Sequence, residues 1–543
     1  MKMRNFISSD WVPEIFLATR KNYGAAALLA DVRAGFLTSI VAFPLFMTFA
    51  IASGVSPSIG VLTCIVAGSL SCLFGGARFQ IVGPTGAFAM IVFGAIGEHG
   101  FEGLTSALIM ASIIMLIFGM AKIGDLIHYV PYPVTAGFTA GIGLSIIITQ
   151  MGTFLGLQLD CSPTSIGERL YCYVSCLPTM NAHSFFLGAS SLLFLMTIQK
   201  YRPNLPRYFV VLVFGIVFSL IFHDKGMSTI GSNFGDVVCH LPSPSIPPEV
   251  FTLSNLRKLF PTAFAIAFLG SMESLLGAVI SDNLSGQRHR SNMELVGLGI
   301  ANLGAAIFGG IPATCALGTT SLNVKAGAKT PIAGLINVLF LILFTVCLKK
   351  YISIVPLSCL SAMLFSSAWS MTAFDKNKYL LLAPKSDSLV FLTTILFTLV
   401  VDIVVAVEVG LILSAFLFIK RSAQTTTAEV FSKAVRNACV GEDECECVKI
   451  SGHLFFGAAP ILHNALKALP KTHNTIYIDM HNVPFVDATG AKVLKEFIAE
   501  VKQKNINVMI GGLNKRIIKV LKKMDLSGEF RGHLQADQDQ SID

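Results

Sequence analysis

The chain has 543 residues, 53% of them hydrophobic and 13% charged, with a mean hydropathy of +0.69. A soluble protein carries about twice that charged fraction, so a wholly water-soluble fold is excluded. The net charge of +8 reads as basic loops on the cytoplasmic side of a membrane protein and not as nucleic-acid binding.

The first 30 residues are polar and charged (Lys2, Arg4, Asp10, Glu14, Arg20, Lys21) and lack the apolar centre of a signal peptide, so 1–34 is expected as a cytoplasmic N-terminal segment. A first span is predicted over 35–52, with Pro44 kinking or interrupting it, and a second over 59–74. The third is broken. Gln80 to Val82 read as extended, Gly83-Pro84 as the break, and 85–96 as a helix about half the length of a bilayer crossing. Further spans are predicted over 104–121, to near Leu157, then over 185–198 and 208–222.

The pattern then recurs. An eighth span over 260–280 holds Glu273, and Arg288, His289 and Arg290 form a basic inner loop before a ninth over 294–308. Gly309-Gly310-Ile311-Pro312-Ala313-Thr314 is a second Gly/Pro break, followed by a short helix to about Lys325. The remaining spans are placed over 331–348, 352–372, 389–401 and 403–419. Two halves of seven spans, each with a broken third member, are the sign of an inverted repeat, because an odd number per half turns the second half over.

The fold class expected is an all-α polytopic membrane protein of 14 transmembrane segments, arranged as a 7+7 inverted repeat, with a small cytoplasmic α/β domain. The transport domain is taken as 35–420, a linker as 421–444, the soluble domain as 445–527 and a polar tail as 528–543. Strands are predicted at 446–451, 475–480 and 506–510, and helices at 488–504 and 514–523. Among the cysteines, Cys64, Cys72, Cys347 and Cys359 read as packing residues and Cys439, Cys445 and Cys447 as reduced thiols. Cys161, Cys172, Cys176 and Cys239 fall in loops placed outside, where two disulfides could form.

Two broken spans entering from opposite faces would bring Thr85-Gly86-Ala87 and Ala313-Thr314-Cys315 together near mid-membrane. Each helix N-terminus carries about half a positive charge and unpaired N–H donors, so the pair would form an anion site without Lys or Arg. Thr85 and Thr314 could add hydroxyl donors. Glu273, a carboxylate in mid-span, is a functional candidate. It could carry a proton that travels with the anion, bind Na⁺, or bond to a helix end. Asp402 and Glu408 are weaker intramembrane candidates, and His128 and His183 read as interfacial. No metal-spaced His/Cys cluster or nucleophile–base set suggests an enzyme.

Asp31–Phe49, Gly75–Ala89, Leu269–Leu276 and Gly309–Pro331 together resemble the SulP family of anion transporters. Ile478-Asp479-Met480 and Val483–Gly490 resemble its STAS domain. The resemblance implies a core of spans 1–4 and 8–11 and a gate of spans 5–7 and 12–14. Substrate would sit between spans 3 and 10, at Thr85, Gly86, Ala87, Ala313, Thr314, Cys315 and Ala316, with Phe49 alongside. Glu273 matches the acidic ion-coupling position of the family. Two positions depart from it: Thr319 stands where many members have Arg, and Leu45 where many have Gln. The missing cation weakens the case for a dianion. Within the STAS-like part, Ala488 stands where soluble relatives are phosphorylated, which favours a structural role.

The resulting expectation is a secondary active transporter of a sulfate-, bicarbonate- or dicarboxylate-class anion, in symport with a proton. Na⁺-coupled bicarbonate symport, exchange and channel activity are the alternatives. The expected setting is a homodimer in a bacterial inner membrane with both termini cytoplasmic, no organic cofactor or metal, no nucleic acid, and a cytoplasmic partner for the STAS-like domain.

Overall fold

A computed structural model describes residues 11–523 apart from 21–22, 126–129, 160–165, 203–204, 223–226, 236–242, 249–251, 402, 432–445, 458–459, 461–463, 465–474 and 504–505. His128, Cys161, Cys239, Asp402, Cys439 and Cys445 therefore lie outside the described residues. The chain divides into two compact units, Met1–Leu411 and Ile412–Asp543.

The first unit is helical because its apolar runs contain few charges to interrupt them and satisfy their backbone internally. Six described helices are long and apolar enough to cross a membrane: Ala25–Ala52, Pro57–Phe74, Gly86–Met120, Tyr132–Leu155, Ala182–Tyr201 and Leu253–Ser285. Shorter helices follow at Ser291–Ile307, Leu317–Lys325, Ile332–Cys347, Leu357–Thr372 and Lys385–Val400. Many large apolar side chains face outward, Leu193, Phe194, Leu339 and Val346 among them, as lipid contact requires.

Several local expectations change. The first long helix begins at Ala25 and runs through Pro44 without interruption. The gap expected between the helix over 85–96 and the span over 104–121 contracts to Gly100, whose φ of +68° joins two helical runs into Gly86–Met120. The loop after Leu155 contains an amphipathic helix, Ile166–Cys176. Cys172 is disulfide-bonded and Cys176 is a free thiol, so the four outer cysteines do not all pair.

The helices pack as two groups. Gly86–Met120 packs closely on Leu253–Ser285 and Ser291–Ile307, and Ala25–Ala52 on Ile332–Cys347. Tyr132–Leu155 gathers Leu357–Thr372, Lys385–Val400 and Ala182–Tyr201 into the other group, with sparser packing between the groups. On the first group, Asp31 is fully buried and accepts the N–H groups of Lys329 (2.6 Å) and Thr330 (3.1 Å), the Thr330 hydroxyl (2.6 Å) and the Tyr23 phenol (3.0 Å). Burial and the Asp31 carboxylate push the Tyr23 phenol up to about 12, so it remains a donor at neutral pH.

In the second unit, β3 (Thr427–Phe431), β4 (Glu446–Ser451), β5 (Thr475–Asn482) and β6 (Asn507–Gly511) form one sheet in that order. β3 is antiparallel to β4 and the other pairs are parallel. β3 lies in the stretch expected to be a linker. Ile450, Ile476, Ile478, Leu494, Ile498 and Ile517 make the core under helices Ala488–Gln503 and Lys515–Lys523. Asp487 caps the first of these by accepting the Gly490 N–H at 2.7 Å.

Candidate functional site

The two Gly/Pro breaks meet. β1 (Val82–Gly83) pairs antiparallel with β2 (Thr314–Cys315), Val82 opposite Cys315 and Gly83 opposite Thr314. The Ala316 N–H extends the ribbon by donating to Ile81 O at 2.9 Å. Each break thus satisfies backbone groups exposed by the other, which allows two interrupted segments inside an apolar unit. A Cβ on Gly83 would lie 2.7 Å from the Phe46 ring, so glycine is what lets the ribbon lie against that ring.

Three polar side chains hold the ribbon, Asn302 and Thr320 from outside and Thr314 from within β2. Asn302, fully buried, accepts the Ala313 N–H and donates to Ala313 O, both at 2.8 Å. The Ile81 N–H donates to Thr320 Oγ1 at 3.0 Å, and Thr314 Oγ1 donates to Gly270 O at 2.9 Å. Losing Asn302 would leave two buried backbone groups unpaired, at about 1–3 kcal/mol each.

A helix begins immediately beyond each strand. On the first, Thr85 is the extended residue before Gly86, and the first internal bond is Phe88 N–H to Thr85 O at 3.2 Å. The N–H groups of Gly86 and Ala87 precede that bond. On the second, Ala316 precedes Leu317, and Thr320 N–H to Ala316 O at 2.9 Å is the first bond. This corrects the expected start. Ala313, Thr314 and Cys315 are extended residues ahead of the helix, and the free donors belong to Leu317, Gly318 and Thr319. The helix does not abut the Gly-Pro break, because the extended backbone continues through Cys315 to form β2. The two threonines are also engaged elsewhere, Thr314 with Gly270 O and Thr85 with Glu273.

Glu273 is brought to the site. It is half-buried on Leu253–Ser285, and its Oε2 accepts the Thr85 hydroxyl at 3.2 Å. No Lys or Arg ion pair reaches it among the described residues. Gly277, one turn on, explains how this helix approaches: a Cβ there would stand 2.2 Å from Cys315 Sγ. Phe49 also reaches the site. A Cβ on Gly86 would lie 3.1 Å from Phe49 Cε1, 2.8 Å from Ile146 Cδ1 and 3.4 Å from Met371 Sδ. Ile146 and Met371 come from the other packing group and had no signal in the sequence beyond apolar periodicity. Thr319 is buried and turns its hydroxyl back to Ala316 O at 3.0 Å.

The other candidates lie apart. Glu408 is exposed on the rim of an apolar cavity of about 160 Å³ whose walls include Ile91, Phe138, Phe268 and Leu269. The His183 ring lies 6.0 Å from that of Phe222 at the end of its helix.

Comparison with known proteins gives the same outline. Residues 28–394 match the sulfate permease family and residues 439–540 the STAS domain. YvdB of Bacillus subtilis (strain 168), named as a candidate sulfate transporter, is 35% identical over 507 residues, 93% of this chain and 95% of that protein. The bicarbonate transporter BicA of Synechocystis sp. (strain PCC 6803) is 27% identical over 533 residues, 92% of this chain and 91% of that one. The solved structure of SLC26A9 superposes with a TM-score of 0.84 at 18% identity, covering 96% of this chain and 90% of that chain. The transmembrane domain of a cyanobacterial BicA gives 0.62 at 26% identity, covering 72% of this chain and 97% of that chain.

Proposed function

The chain belongs to the sulfate permease family, a family of transporters and not of enzymes, and we propose that it is a secondary active anion transporter that works by alternating access in symport with a proton. The observation that carries this reading is the β1–β2 ribbon, which fixes two helix starts side by side with Glu273 bonded to Thr85. Two helix ends of about half a charge each supply about one positive charge. With Thr319 where an Arg would add a second, that suits a singly charged anion such as bicarbonate better than sulfate.

The site residues in this reading are Phe49, Thr85, Gly86, Ala87 and Ala316, with Leu317 and Gly318 taking the donor role first given to Ala313, Thr314 and Cys315. Glu273 carries the coupling proton. Gly277, one turn beyond Glu273, carries no side-chain oxygen, and a side chain there would meet Cys315 Sγ, so that position offers no Na⁺ ligand, which favours a proton. The helices make up fourteen spans in two inverted halves. The group around Tyr132–Leu155 is the gate, against which the core shifts, with Ile146 and Met371 closing one face of the site. The protein works as a homodimer in a bacterial inner membrane with cytoplasmic termini, and the STAS domain supports it and can offer a surface to a cytoplasmic partner.

Purified protein in liposomes should take up labelled bicarbonate saturably, faster with an inward proton gradient and indifferent to a Na⁺ gradient. Sulfate, succinate, chloride and nitrate serve as competitors. Uptake driven by Na⁺ and insensitive to the proton gradient would replace the proton in this scheme. Efficient, saturable sulfate uptake would overturn the argument from Thr319.

A further inference from the structure

A second carboxylate is buried behind the ribbon. Glu294, in the first turn of Ser291–Ile307, is 1% exposed. Its Oε2 accepts the N–H groups of Gly76 at 2.9 Å and Ala77 at 2.8 Å, and its Oε1 lies 3.0 Å from Ser274 Oγ. Ser274 Oγ also lies 3.2 Å from Gln80 Oε1, and Gln80 Nε2 donates to Ser274 O at 2.5 Å.

These contacts constrain the protons. The Gln80 amide cannot be turned over, because an oxygen would then face the Ser274 carbonyl oxygen at 2.5 Å. Gln80 Oε1 is therefore an acceptor. An ionised Glu294 would also only accept. Ser274 sits between them with one hydroxyl proton, and it cannot donate fully to both. The carbonyl one turn earlier, Gly270 O, which a helical serine commonly uses, already accepts from Thr314.

We infer that Glu294 is a neutral carboxylic acid in this conformation, its Oε1–H donating to Ser274 Oγ and the Ser274 hydroxyl donating to Gln80 Oε1. Oε2 then serves as the carbonyl oxygen for the two backbone N–H groups, and each donor is used once. Burial acts in the same direction, because no Lys or Arg pairs with Glu294 among the described residues, while the two backbone N–H groups alone would favour the ionised form. The titratable groups facing it are Cys72, Cys315 and His289. His289 is itself bonded to Asp282 Oδ2 at 2.7 Å and to Ser291 Oγ at 3.2 Å.

The chain of donors ends on Gln80, which opens the first break, and Ile81 beyond it pairs with Ala316 and Thr320. Glu294 is thus a positioning residue whose proton sets the direction of the hydrogen bonds that seat β1. This holds whichever ion drives transport.

Infrared difference spectroscopy on the full-length protein in liposomes, titrated through neutral pH in H₂O and D₂O, reads this proton directly. The wild type should show a deuterium-sensitive carboxylic-acid C=O band at neutral pH that is lost in Glu294→Gln and retained in Glu273→Gln. Gln at 294 reproduces the donor and acceptor pattern of the acid, so its melting temperature should match the wild type at neutral pH. Ser274→Ala, which removes the acceptor, should shift the band to higher frequency and covers the case in which Glu294→Gln does not fold. A band that survives Glu294→Gln unchanged, or one that Ser274→Ala leaves in place, would overturn the inference.

Discussion

Anion uptake by the Glu273→Gln variant is expected to lose its dependence on the proton gradient. Gln keeps an oxygen to accept the Thr85 hydroxyl, now at 3.2 Å from the carboxylate, so the helix start remains seated. It cannot gain or lose the coupling proton. If one proton travels with each anion, a pH unit of gradient supports about tenfold accumulation in the wild type. The variant should show none, while exchange of anion for anion continues. The measurement is initial uptake into liposomes at matched and acidic external pH. Unchanged pH dependence in Glu273→Gln would remove Glu273 from the coupling role.

The second large effect is expected at Gly86. A Cβ placed there would meet Ile146 Cδ1, Phe49 Cε1 and Met371 Sδ at 2.8, 3.1 and 3.4 Å. All three are outer atoms of side chains that can yield by tenths of an ångström. Gly86→Val should therefore fold, but its methyl groups would occupy the space in front of the Gly86 and Ala87 N–H groups. Losing charge-assisted hydrogen bonds worth about 1.5–3 kcal/mol should raise KM by about 10- to 100-fold with little change in melting temperature. Gly83→Ala makes the contrast, since its Cβ would strike the Phe46 ring within the buried ribbon and should lower the melting temperature instead. An unchanged KM in Gly86→Val would place the anion elsewhere.

The parts of this site legible in the sequence were those with a local signature. Gly83-Pro84 and Gly309–Pro312 announce breaks because Gly and Pro punctuate an otherwise uninterrupted apolar chain. Glu273 stands out because a carboxylate in such a run is rare. The pairing of β1 with β2 had no such signature, because its partners are more than 200 positions apart and each strand has only two residues. Nothing local therefore separates Ala313 to Cys315 from the helix start that lies further on. Asn302 and Thr320 carry no local mark, because the backbone groups they complete belong to the ribbon. Gly277 has no local mark either, because its smallness matters only through Cys315, which packs against it from a distant segment. In the second unit, alternation within strands and helical periodicity are strong enough to place most elements, and β3 escapes them because a polar stretch separates it from the rest.

The central claim is that an anion is held between the two helix starts. Its most direct test is a structure of the protein in lipid with a heavy monovalent anion that competes for uptake, such as bromide, located by its anomalous scattering. The expected result is one competable peak within hydrogen-bonding reach of the Gly86–Ala87 and Leu317–Gly318 N–H groups and beside Phe49. A saturating peak at a lysine or arginine on the surface, with none between β1 and β2 and their helices, would contradict it.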